Sequence, residues 1–283
     1  MKKLVVLAMV VLASLGLLLT LGGNQTQATD IPVSCGDVLT VAGHDYELTG
    51  NLTCSGAGLT IGADDITLNC KGHTLTGDGT GLGIFLDGVS GVTVRNCHVK
   101  DFAAGIVLDG SSGNWLVKNK ATGNTSSGSG GFVVRTSSDG NVLQQNEAND
   151  NSGRGFVVVS NSDGNFLEKN KAKDNGFRGF DIELSSDGNV LFNNKAKDNG
   201  SGGFVVGTGS TGNILKQNLA IGSSVEGFAM LAPGNVLVEN KANSNTTFGY
   251  RDSTGPANAY FGNKCAGNGI GGSSPTGLCA PQP

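Results

Sequence analysis

Charged side chains make up only 15% of this 283-residue sequence and aromatic ones 6%, with a single Trp, three Met, three His and six Pro. So little charge leaves no basic run of the kind a general nucleic-acid partner requires. Few His and Met leave few soft ligands for a redox metal. No Gly-x-y triplet period runs through the 47 Gly, which excludes a collagen-like chain. Beyond Leu21 no apolar run approaches the length of a membrane span. Long helical stretches are missing too, because Gly and Asn interrupt the apolar runs and both disfavour helix interiors. What the sequence does hold is 28 Asn beside those 47 Gly, with Val, Leu, Ile and Phe returning at fixed intervals. That regularity argues against disorder and for a β protein with many turns.

The N-terminus stands apart. Lys2 and Lys3 precede an apolar stretch from Leu4 to Leu21, and Thr26-Gln27-Ala28 ends it in the small-x-Ala manner of a signal-peptidase site. Residues 1–28 are expected to be a signal peptide, a retained anchor being the alternative reading. The mature chain is then secreted, periplasmic or at the cell surface, with no membrane segment after cleavage. Without Lys2 and Lys3 it has 17 basic against 23 acidic side chains, a net charge of −6. That balance again argues against nucleic acid.

All six cysteines, Cys35, Cys54, Cys70, Cys97, Cys265 and Cys279, follow the signal segment. An even count in an exported chain predicts disulfides, and none of the spacings fits a zinc site. Cys35 with Cys54 would staple the start and Cys265 with Cys279 the end.

The strongest signal is internal repetition. Gly-Asn recurs at Gly113, Gly140, Gly164, Gly188, Gly212 and Gly234, at intervals of 27, 24, 24, 24 and 22. Three residues on stands a Leu column from Leu116 to Leu237, and three further an Asn column from Asn119 to Asn240. An Ala column from Ala121 to Ala242 follows, then Gly and an aromatic column, Phe132, Phe156, Phe180, Phe204, Phe228 and Tyr250. Helical repeats need longer units, and leucine-rich repeats need several Leu per unit. Short strands separated by Ser-Asp-Gly turns, two or three to a 24-residue unit, describe one coil of a parallel β-helix. Stacked coils about 4.8 Å apart turn each column into a ladder. Phe then stacks inside, and Asn amides bond along the axis at corners.

The frame extends back to Asp64, with Cys70 and Cys97 at the same corner of adjacent coils, which makes them partners. The expectation is one all-β domain, a parallel β-helix of about eight to nine coils. Residues 29–63 form an N-terminal cap and first coil, 64–262 the repeats, and 263–283 a disulfide-tied tail. The stretch from Cys35-Gly36-Asp37 through Gly58-Leu59-Thr60-Ile61 to Gly72-His73-Thr74-Leu75 resembles the opening of right-handed parallel β-helix repeat proteins, in particular the NosD-type β-helix domain. The resemblance implies the right-handed winding. It does not imply an activity, because this fold hosts lyases, glycosidases, epimerases, adhesins and binding modules.

Alternation along each strand places the residue after the aromatic outward. That column runs through Val133, Val157, Asp181 and Val205, and the next outward column holds Arg135 and Glu183. Asp181 and Glu183 interrupt an otherwise apolar or mixed face, and Arg154 and Arg178 precede the same strands on adjacent coils. Two readings stay open. In one, these residues bind a polysaccharide or cell-surface partner, or, with Asp181, Glu183, Arg154 and Arg178 as catalytic candidates, a lyase acts on a uronate-containing glycan by β-elimination. In the other, the arginines neutralise the carboxylates in a structural ion-pair patch, and the protein is a scaffold or adhesin. Placed outward, Asp181 is expected to be dispensable for folding. The marker motifs that polygalacturonase-like enzymes and mannuronan epimerases would carry are absent, including Asn-Thr-Asp and Asp-Pro-His-Glu.

No cofactor is expected. Stacked carboxylates at Asp139, Asp163 and Asp187 could gather Ca²⁺, but Asp before Gly is first of all a turn former. His44, His73, His98 and Met230 share no column, so no metal site is assigned.

Overall fold

The computed structural model describes residues 32–255 and 257–281. The expected signal peptide lies outside the described residues. All regular elements among the described residues are β-strands of two to six residues. They form three parallel sheets of eleven, ten and eleven strands. Each turn of chain gives one strand to each sheet, named here after its interior column. One turn supplies Arg154–Val158 to the phenylalanine sheet, Phe166–Glu168 to the leucine sheet and Lys171–Lys173 to the alanine sheet. The next turn pairs in register, Phe156 with Phe180, Leu167 with Leu191 and Ala172 with Ala196.

The chain is a right-handed parallel β-helix of about ten turns. That is slightly more than the expected eight to nine, which already include an N-terminal coil, because the segment expected as a tail beyond residue 262 is wound as well. Val38–Leu39, Asp45–Glu47 and Leu52–Thr53 form an opening turn. Ala259–Phe261, Lys264–Ala266 and Gly271–Ser274 continue the stack beyond the last full repeat.

Each column has a physical reason. Phe132, Phe156, Phe180, Phe204, Phe228 and Tyr250 are fully buried and stack with centroids 4.7–4.9 Å apart and planes within 4–6° of parallel. Strand spacing dictates that separation. The Gly and Ala columns explain one another. A Cβ on Gly179 would lie 2.7 Å from the Gly203 carbonyl oxygen and 2.9 Å from the Ala196 Cβ, so this vertex has room for neither a larger residue nor a second side chain.

Corners are turned by one left-handed residue followed by a buried Asn. Lys169 (φ 54°) precedes Asn170 between the leucine and alanine sheets, and Asp174 (φ 54°) precedes Asn175 beyond the alanine sheet. The Asn170 Oδ1 accepts the Asn146 backbone N–H at 2.9 Å and its side-chain amide at 3.1 Å. Its Nδ2 donates to the Leu143 carbonyl at 2.8 Å and the Asn194 Oδ1 at 3.0 Å. Three such ladders run along the helix, through Asn141, Asn146 and Asn151 and their equivalents. Apart from the half-buried last rungs at Asn258 and Asn268, these amides are buried, and they are satisfied as burial requires. Three disulfides, Cys35–Cys54, Cys70–Cys97 and Cys265–Cys279, close the first turns and the last.

Candidate binding site

The outer column of the phenylalanine sheet is not the open stripe that alternation indicates. Val133, Val157 and Val205 retain only 4–6% of their exposure and Asp181 1%. Alternation assumes a bare outer face, whereas here the segments entering each strand fold back against it. Val133 closes a small outer cluster with Ala104 and Val107, against which Leu82 and Phe85 pack. Val157 leans on Gly130 and Val205 on Gly202, whose Cβ positions would lie 3.2 and 2.8 Å from the valine Cγ2 atoms. These three valines are therefore a secondary core, and a ligand cannot read them as an exposed apolar ladder. Arg135 stays half-buried but is bound to Asp109, its Nε and a terminal nitrogen both 2.8 Å from one carboxylate oxygen.

Asp181, Glu183, Arg154 and Arg178 do come together. Arg154 Nε donates to Asp181 Oδ2, and Arg178 Nη1 donates to Glu183 and, at 2.8 Å, to Asp181 Oδ1. Arg154 also approaches Glu183 at 3.7 Å. Both guanidiniums lie over the ring of Phe177, 5.0 and 4.8 Å from its centroid. Such cation–aromatic contacts are favourable when desolvated. Phe177 carries no signal in the periodic columns: its position holds Gly153 and Ser201 on the flanking turns. An aromatic between two small residues, in a column that continues through Val225, Thr247 and Ile270, is a weak signal.

The Asp181 side chain is sealed, while Glu183 is 25% exposed and the arginines 19% and 17%. Burial pushes the Asp181 carboxyl up, and Glu183 adds to this against the pull of Arg178 and Arg154. Burial disfavours the Arg178 cation, but Asp181 and Glu183 more than offset it and hold that guanidinium above its ordinary value. The Arg178 Nε is buried with no acceptor among the described residues.

The insertion at Thr125–Gly130 lies beside this cluster. The Gly128 carbonyl accepts a hydrogen bond from Arg154 Nη1 at 3.3 Å. The loop packs so closely on the next turn that a Cβ at Gly153 would sit 2.3 Å from the Ser129 oxygen.

The Asp139, Asp163 and Asp187 ladder has a local use. Asp139 Oδ1 accepts the Asp163 backbone N–H at 2.8 Å, and Asp163 Oδ1 accepts that of Asp187 at 2.7 Å. Among the described residues, no group of three or more His, Cys, Asp or Glu side chains is placed to hold a metal ion.

The chain belongs to the right-handed β-helix region family, whose model matches residues 57–220. That family is broader than the NosD-type domains the opening stretch resembles. No curated protein matches the sequence. Solved structures match the fold at low identity. The mannuronan C-5 epimerase AlgE4 A-module of Azotobacter vinelandii is 17% identical, with a TM-score of 0.59 over 90% of this chain and 85% of that one. The catalytic domain of a GH87 α-1,3-glucanase bound to nigerose is 15% identical, with a TM-score of 0.57 over 90% of this chain and 62% of that one. An alginate lyase from Paenibacillus sp. is 13% identical, with a TM-score of 0.51 over 83% of this chain and 98% of that one. At these identities the likeness is one of fold.

Proposed function

We propose that this is an exported, non-catalytic β-helix protein that binds polysaccharide on the outer face of the phenylalanine sheet, around Arg154, Phe177, Arg178 and Glu183. One observation carries the reading. This is the place on the sheet where a paired-charge cluster replaces the buried valine column, and it retains a partly open rim of guanidinium, aromatic ring and carboxylate. Folding does not need that substitution, since valine fills the same column on the turns before and after. The orphaned Arg178 Nε is a further cost that a merely structural ion pair has no reason to carry. Guanidinium and carboxylate groups at the rim suit the hydroxyls of a sugar, and a ring edge suits its apolar C–H face.

Polysaccharide is the ligand class because the fold's solved relatives include an epimerase of mannuronan, a glucanase bound to nigerose and an alginate lyase. Export is consistent with the three disulfides, which persist in oxidising compartments. Binding is favoured over β-elimination because neither carboxylate of the cluster is unpartnered. Asp181 is bonded to both arginines and Glu183 to Arg178, so the site offers no free base. Incubation with uronate polymers, followed at the absorbance of the unsaturated product, checks this directly. The reading expects no absorbance gain beside measurable binding on a polysaccharide panel, and a steady gain would replace it with the lyase.

A further inference from the structure

The outer face of the alanine sheet is where the chain's lysines are gathered. Its first outward column carries Lys120, Lys171, Lys195, Lys241 and Lys264, broken by Glu147 and Leu219. Its second carries Lys100, Lys173 and Lys197. Of the 12 lysines beyond Lys3, eight therefore project from one face of a chain whose mature net charge is negative. Like charges stand directly above one another: Lys171 pairs in register with Lys195, Lys173 with Lys197, and Lys241 with Lys264. Asp174 and Asp198, at the edge, hold Lys173 and Lys197 at 2.6 and 3.2 Å, and Glu147 holds Lys171 at 2.8 Å. Lys120, Lys195, Lys241 and Lys264 are exposed, and among the described residues no carboxylate lies within ion-pair distance of them. Ladders of like charge oppose stacking, so this arrangement is not explained by the fold.

We propose that the alanine-sheet face docks a linear, carboxylated polysaccharide running along the helix axis, its carboxylates meeting the first lysine column. From Lys120 to Lys264 the column spans six strand steps, about 29 Å at about 4.8 Å each. A polyuronate carries one carboxylate per sugar on a flexible, straight-running chain, and this suits a straight column of cations interleaved with an acid. Duplex nucleic acid suits it less. Its dense phosphates follow a helical path away from a flat face, and the acids along the edge oppose them. This surface lies on a different sheet from the Arg154 and Arg178 cluster, and the inference does not depend on that cluster binding anything.

The test uses the full mature chain and fluorescently labelled polygalacturonate, with dextran of matched length and duplex DNA as comparators. The expected result is salt-sensitive binding of polygalacturonate, none of dextran and weaker binding of DNA. The triple variant K195Q/K241Q/K264Q should lose affinity by roughly 30-fold or more and show a shallower salt dependence, with its melting temperature kept. A Lys216→Gln variant, on the leucine sheet, should bind polygalacturonate as the parent does, and Arg154→Gln is measured beside it. Absence of polygalacturonate binding at low salt overturns the proposal. So does an unchanged affinity of the folded triple variant, or tighter binding of DNA than of polygalacturonate. Loss confined to Arg154→Gln would locate binding on the phenylalanine sheet and also remove this surface.

Discussion

Replacing Asn170 by Ala probes the feature that most sets this helix apart, the amide ladder at its corner. The Asn170 side chain makes four hydrogen bonds, all buried: it accepts from the backbone and side chain of Asn146 and donates to Leu143 and Asn194. Ala removes all four. The Asn146 backbone N–H then has no acceptor, and a buried orphan of that kind costs about 1–3 kcal/mol. Each of the other three bonds is worth a net of about 0.5–1.5 kcal/mol. The expected loss is about 2.5–7.5 kcal/mol, several times that of an ordinary surface substitution. Asn170→Asp should be nearly as costly, because it keeps the acceptor but discards both donors and buries a charge. Urea denaturation followed by circular dichroism measures the change, with Lys195→Ala on the exposed face as a control expected within about 0.5 kcal/mol. Amide exchange should accelerate at Asn146 in the Ala variant. A loss below about 1 kcal/mol, with Asn146 still protected, would refute the idea that the ladder holds adjacent turns together.

Other perturbations follow from the same contacts. Phe180→Ala, between rings at 4.8 and 4.7 Å, should lose about 3–5 kcal/mol in the same denaturation assay. Asp181→Ala should cost about 2–4 kcal/mol, because two arginines lose their buried partner while keeping Glu183 and some water; the outward placement read from alternation expects almost none. Removing Cys70–Cys97, which closes a 27-residue separation, should lower stability by about 3–4 kcal/mol, read as a fall in melting temperature. Burial and the charges of Lys120 and Lys100 lower the pKa of His98, so NMR titration should find it below the ordinary value of about 6.5. With the folded pKa depressed, its stability contribution is present above about 6.5 and is lost as pH falls from there through the folded value; His98→Gln should flatten that limb.

The repeating interior was open to reading because each turn contributes one Phe, one Leu, one Ala and one Asn to the same place. A side chain repeated at constant spacing has nowhere to go but a ladder. The corners were less open. Lys169, Gln145 and Glu239 take left-handed backbone angles that their side chains do not advertise, and the neighbouring buried Asn makes the turn intelligible. Of the three amide ladders, the one through Asn170 stood out. The one through Asn165 directly follows the repeated Gly and the one through Asn175 follows an Asp, contexts that suit a turn as well as a buried amide. The candidate site was half legible. Charge at Asp181 and Glu183 broke a column and so drew notice, as did the paired arginines. Their burial was not visible, because whether an outward residue meets water depends on how the preceding loop folds back. Phe177 and the lysine face share that limit: Lys-Ala-Lys spells a basic surface only once Ala is known to point inward.

The central claim is that the rim of the Arg154, Phe177, Arg178 and Glu183 cluster holds polysaccharide. Calorimetric titration of the mature protein and of Phe177→Ala with a panel of polysaccharides tests it most directly, since the ring is partly exposed and touches both arginines without bonding either carboxylate. The prediction is that at least one polysaccharide binds the parent protein, and that Phe177→Ala binds it about tenfold or more weakly while melting within a few degrees of the parent. Equal affinity in the folded variant, or no binding anywhere on the panel, would contradict the claim.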